Sequence, residues 1–157
     1  MPNWFSTSSP SDSVVITGAS SGIGAACALA LDTLGYRVFA CVRHPADGER
    51  LQRQAGPRLM PIRLDVTDSA SIAAASHTVA AMVGDRGLAG LVNNAGIGVA
   101  GPIELLPLAD WRRQFEVNVF GLIAVTQTFL PLIRTGHGRI INMGSIAGRA
   151  SMPFMAP

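Results

Sequence analysis

Ser13-Val14-Val15-Ile16-Thr17-Gly18-Ala19-Ser20-Ser21-Gly22-Ile23-Gly24 decides how this chain is read. The β-branched run Val14–Ile16 predicts a buried strand. Three glycines follow, and then an alanine-rich segment from Ala25 to Leu34 predicts a helix. Strand, glycine turn and helix make the first half of a βαβ unit. Such a turn can bring bare backbone N–H groups and a helix N-terminus against a phosphate. In that role Gly18 lets the chain turn, Gly22 lets a pyrophosphate approach, and Gly24 lets the helix pack on the strand.

Outward from this stretch, the 157 residues suggest about one domain. Residues 1–12 are Ser/Pro-rich and read as a disordered tail, leaving 13–157 as the domain. Charged residues make up 14%, against a usual share of about 25%, so some apolar faces are expected to be covered by something outside this chain. The net charge of +2 comes from twelve arginines and no lysine. The arginines are scattered, which argues against a nucleic-acid partner. Cys27 and Cys41 read as small buried hydrophobes. His44, His77 and His137 show no ligand spacing, so no metal site is expected. The N-terminus has neither the basic start nor the apolar core of a signal peptide. Val117–Ile133 is apolar but carries Asn118, Gln127 and Pro131, a poor membrane span. A cytoplasmic protein is expected.

Farther along, Gly35 ends the first helix and Tyr36–Val42 reads as a second strand. Pro45 and Gly48 punctuate a loop before a short helix at about 49–54. Arg58–Leu64 reads as a third strand, with Pro61 placing it at a sheet edge. Asp65-Val66-Thr67-Asp68 closes it, and Thr67 or Asp68 caps a helix over Ser69–Val83. Leu88–Val92 is a fourth strand running into Asn93-Asn94-Ala95-Gly96. Pro107 opens a long helix to about Arg134. Trp111, Phe115, Val119, Leu122, Phe129 and Ile133 recur on one face of it, as core or interface. Gly136–Gly138 turns into a fifth strand, Arg139–Met143, which Gly144-Ser145 ends. Alternating strands and helices predict an α/β fold, a doubly wound parallel sheet of about five strands. The glycine turn, Arg43, Asp65, the Asn93 stretch and Ser145 all fall at carboxyl ends of strands, where such sheets bind ligands.

The Gly18-x-x-x-Gly22-x-Gly24 spacing differs from the usual G-x-G-x-x-G. Joined to Asp65-Val66, Asn93-Asn94-Ala95-Gly96, Asn118 within Phe115-Glu116-Val117-Asn118-Val119, and Ser145 after Arg139-Ile140-Ile141-Asn142, it resembles the short-chain dehydrogenase/reductase family from Val14 to Pro157. The resemblance implies a Rossmann-like sheet, incomplete at its C-terminal side, and an NAD(P)-dependent oxidoreductase that interconverts an alcohol and a carbonyl. It implies that Gly18, Ser20, Ser21, Gly22, Ile23 and Gly24 hold the cofactor pyrophosphate and ribose. Asp65 and Val66 would border the adenine, while Asn93, Asn94, Ala95 and Gly96 would line the ribose side and brace the fourth strand. Asn118 would belong to a proton relay through a bound water, and Ser145 would hydrogen-bond the substrate oxygen. An acidic residue at the end of the second strand would suit NAD; Cys41-Val42-Arg43 stands there, and an arginine suits the 2′-phosphate of NADP.

The family places a Tyr and, four residues on, a Lys after the Ser. Here the single tyrosine is Tyr36 and lysine is absent. Counted from Ser145, the Tyr would fall just past Pro157. The chain therefore reads as an N-terminal portion that binds cofactor without turnover, or alternatively as a non-catalytic nucleotide-binding or interaction module. Gly18-Ala19-Ser20-Ser21-Gly22 also matches the G-x-S-x-G elbow of α/β-hydrolases, but only a short polar tail lies upstream to supply an oxyanion hole. The apolar loop Ile97–Leu106 points to an apolar small-molecule alcohol or carbonyl. The family's steroid- and retinol-like members point the same way. Family members commonly pair copies through the long helix, here 107–134.

Overall fold

The computed structural model describes residues 12–150. Most of the expected tail, and the final segment 151–157, lie outside the described residues. Five strands form one parallel sheet: β1 (Ser13–Ile16), β2 (Arg37–Val42), β3 (Leu59–Arg63), β4 (Gly90–Asn93) and β5 (Arg139–Asn142). Their order is β3-β2-β1-β4-β5, with Ile16 level with Ala40 on one side and Val92 on the other. The chain leaves β1 to one side, returns, and continues on the other, so the order reverses between β1 and β4. That is the point where a doubly wound sheet opens a crevice.

Side chains alternate along each strand and divide the core in two. Val15, Phe39 and Leu91 face α3 (Ser69–Val83) and α5 (Leu122–Thr135), meeting Val79 and Phe129. Val14, Ile16, Val38, Ala40 and Val92 face α1 (Gly22–Thr33) and α2 (Pro45–Gln52), meeting Ala28 and Leu51. Cys41 is buried, and burial pushes its thiol up to about 12, so it is packing rather than a nucleophile.

Three elements depart from the sequence expectation. α1 starts at Gly22 rather than Ala25, so its first turn lies inside the glycine stretch. α2 starts at Pro45, which opens the helix instead of breaking it. The long helix is continuous from Leu108 to Thr135 but is α-helical only in α4 (Leu108–Phe115) and α5, with a wider π turn over Glu116–Gly121 between them. That turn puts the expected stripe out of step: Val125, Phe129 and Ile133 are buried, while Phe115 and Val119 are exposed. By length and composition this helix would pass for a membrane span; in the fold its α5 half lies on the sheet. Gly121 is needed where the π turn meets the loop after β3, since a β-carbon there would stand 2.8 Å from the Val66 carbonyl oxygen.

Candidate functional site

The loops after β1, β2, β3 and β4 converge on one open crevice of about 790 Å³. Its floor is Gly18, Ser20, Ser21, Ile23 and Gly24. Val42, Arg43, His44 and Asp47 form one corner, and Leu64, Asp65, Val66 and Thr67 the next. Asn94, Ala95, Gly96 and Ile97 close the β4 side, and Arg113, Glu116 and Val117 stand opposite on the long helix.

Gly18 has φ +65°, a left-handed conformation, and a β-carbon on it would stand 2.7 Å from Ala95 Cα. Both the turn and its contact with β4 therefore need glycine. Asn94 ties the two loops together: its Nδ2 donates to the carbonyls of Thr17 (3.0 Å) and Gly18 (3.1 Å). The Thr17 hydroxyl accepts from the N–H groups of Asn94 and Ala95, each at 3.0 Å. On the far side, Arg50 Nη2 donates to the Ser20 carbonyl at 2.8 Å. The glycine turn is thus held from both flanks.

The Asp65 carboxylate accepts from the Thr67 N–H (2.9 Å) and hydroxyl (2.7 Å). The Thr67 N–H is the main reason its pKa lies below the ordinary carboxylate value; partial burial opposes this, and the Thr67 hydroxyl, Arg43 and His44 add to it. Asp65 is therefore an anion beside Arg43 and His44.

The crevice also fits a phosphate. The N-cap of α1, Ser21, makes no side-chain capping bond, and the first turn holds no acidic residue. Its leading N–H groups are left to whatever enters. Gly22, at φ +54°, has no atom within 4 Å of where a β-carbon would be, so the approach is open. A dinucleotide pyrophosphate would lie on Ser20–Gly24, with its adenosine end between Arg43 and Asp65.

Four of the residues named from the sequence stand elsewhere. Gly22 itself is outside the crevice lining. Asn93 turns to the other face of β4, where its Nδ2 donates to Thr126 Oγ1 and Asn142 Oδ1, both at 2.9 Å, and its buried Oδ1 has no partner. It braces β4, α5 and β5, as expected for the fourth strand, and is not among the residues that line this crevice. Asn118 spends both ends of its amide on one residue: Oδ1 accepts from the Ile97 N–H (2.9 Å) and Nδ2 donates to the Ile97 carbonyl (2.8 Å). Ser145, exposed beyond β5, accepts from the Ala147 N–H at 3.2 Å. Asn94, expected with its neighbours of the Asn93–Gly96 stretch, does line the crevice, as do Asp47 and Arg113, which carry no motif in the sequence. Among the described residues, no three His, Cys, Asp or Glu side chains gather as a metal site.

A crevice at the reversal point of a doubly wound parallel sheet, floored by a glycine turn, is the architecture of a Rossmann-like fold. Residues 12–157 match the short chain dehydrogenase family, and the chain belongs to it. This sets aside the hydrolase alternative. Human 17-beta-hydroxysteroid dehydrogenase type 2 is 42% identical over 146 residues, which are 91% of this chain and 38% of that protein. Human retinol dehydrogenase 5 is 45% identical, across 87% of this chain and 43% of that protein. The chain thus spans less than half the length of these curated relatives. Escherichia coli serine dehydrogenase superposes with a TM-score of 0.83 at 30% identity, covering 90% of this chain and 66% of that one. NADPH-bound carbonyl reductase from chicken fatty liver gives 0.81 at 35% identity, covering 87% and 60%.

Proposed function

We propose that this chain is the dinucleotide-binding part of an oxidoreductase that interconverts an apolar alcohol and its carbonyl, with NADP(H) preferred over NAD(H). The crevice carries this reading: a glycine turn held open at an uncapped helix, with Arg43 at the corner where a 2′-phosphate would lie. An arginine there offers the phosphate two parallel hydrogen bonds. The bound dinucleotide would supply the hydride. Ser145 would hold the substrate oxygen. Asn118 would fix the Ile97 loop beside the site, which leaves any proton relay to its main-chain groups. An apolar substrate is favoured by the exposed Ile103 and Leu105 of the 97–106 loop and by the steroid and retinol names of the relatives. The exposed Phe115, Val119, Phe120 and Ile123 favour pairing of two copies through the long helix.

Calorimetric titration of the chain with NADP⁺ and NAD⁺ tests this. NADP⁺ should bind more tightly, and Arg43→Ala should remove the difference. A clear preference for NAD⁺ that Arg43→Ala leaves unchanged would overturn the cofactor assignment. A second reading takes these 157 residues by themselves as a binding module without turnover, since they hold Tyr36 as their one tyrosine and no lysine. Without a positioned acid, a factor of roughly 10²–10⁴ is lost, so purified chain should bind dinucleotide yet oxidise no alcohol.

A further inference from the structure

An acidic side chain stands in the crevice where the sequence shows none at the end of β2. Asp47, in the first turn of α2, lines the same corner as Arg43 and His44. One helical turn on, Arg50 Nη2 lies 2.9 Å from Asp47 Oδ1 and also donates to the Ser20 carbonyl at 2.8 Å. Arg50 is not itself part of the crevice wall. It pairs with Asp47 from outside that wall.

We infer that Arg50, by neutralising Asp47, sets the choice between a dinucleotide that carries a 2′-phosphate and one that does not. This rests on the dinucleotide reading above. At neutral pH the corner holds two cations, Arg43 and Arg50, against two anions, Asp47 and Asp65. Without Arg50 it holds one negative charge too many. A phosphate monoester carries about −1.5 to −2 charges and is repelled by a bare carboxylate. The neutral ribose hydroxyls of NAD are not repelled, and a carboxylate can accept their hydrogen bonds. Specificity here comes from hiding a repulsive group as well as from offering an attractive one. Arg50 is thus a specificity-determining residue that acts through Asp47. Because the pair is exposed (53% for the arginine side chain, 24% for the aspartate), it adds little to folding, so the variants should stay folded.

The test is a calorimetric cycle on the full 157-residue chain with NADP⁺ and NAD⁺. Arg50→Ala should raise the Kd for NADP⁺ by about tenfold and that for NAD⁺ by less than about threefold. Asp47→Asn placed on Arg50→Ala should restore NADP⁺ binding. Asp47→Asn alone leaves two cations against one anion and should tighten NADP⁺ several-fold relative to NAD⁺; an unchanged ratio would overturn the inference even if Arg50→Ala proves unstable. Equal weakening of both dinucleotides by Arg50→Ala, unrelieved by Asp47→Asn, would overturn the inference and give the effect to the Ser20 bond. Failure of the unsubstituted chain to bind either dinucleotide would overturn the parent reading first, and this inference with it.

Discussion

α1 and α3 both begin at the carboxyl end of a strand, and both present the positive end of a helix there. Only α3 is closed. Asp68 Oδ1 accepts from the N–H groups of Ala70 (2.9 Å) and Ser71 (3.3 Å), and the Ser71 hydroxyl accepts from the Asp65 N–H at 3.0 Å. Ser21 does nothing comparable for α1. The fold spends side chains on steadying the glycine turn from Asn94 and Arg50, yet puts no side-chain cap on the first turn of α1. The difference separates a helix end that serves the fold from one kept for a ligand.

Substitutions can break or sharpen this contrast. Gly18→Ala should have the largest effect. It forces a side chain into left-handed backbone and against Ala95, at a cost of about 2 kcal/mol or more in urea unfolding, and it should abolish dinucleotide binding. Ser21→Asp closes the open end by choice. It should stabilise the fold by about 0.5–1 kcal/mol while weakening dinucleotide binding about tenfold. If stability and affinity rise together, the bare end is not a phosphate site. Asp68→Ala opens the closed end and should cost about 1 kcal/mol of stability, with dinucleotide affinity unchanged.

The smallest effect concerns acid. The pKa of Asp65 is lowered in the folded chain from an ordinary 3.8. Its stabilising contribution is therefore full above that ordinary value and is lost as pH falls through the folded one. Asp65→Asn should flatten the acid limb of stability against pH in that range and leave the neutral region alone. An unchanged acid limb in thermal melts would show that the Thr67 bonds hold a loop without favouring the charge.

Much of the architecture was legible because it follows from short, strongly patterned stretches. Val14–Ile16, Ser69–Val83 and the turn residues around them placed sheet and helices with little shift. The site was legible only where a motif carried it. Pro45 reads as loop punctuation, although at the first helical position it costs nothing; that delays the expected start of α2 to about 49 and leaves Asp47 in a loop instead of the first helical turn. The doublet Asn93-Asn94 was read as one unit, yet neighbouring residues leaving a strand point to opposite sides. So Asn94 laces the crevice while Asn93 lies behind it. The π turn is invisible to a 3.6-residue count, because it adds a residue to the period being counted.

That added residue has a consequence for how this chain can vary. α5 is anchored by Phe129 and Ile133, whereas Arg113, Glu116 and Val117 line the crevice from the other end of the same rod. The bulge takes up one residue more than an α turn over the same rotation, so loss of one codon from 116–121 would rewind the rod to a plain α-helix with both ends still in phase. Loss of one codon from α4 or α5 would instead swing the leading end by about 100° and carry three contacts off the crevice. One-residue deletions, which surface loops absorb, should therefore be tolerated in the rod only at those six positions and excluded from the α-helical stretches on either side.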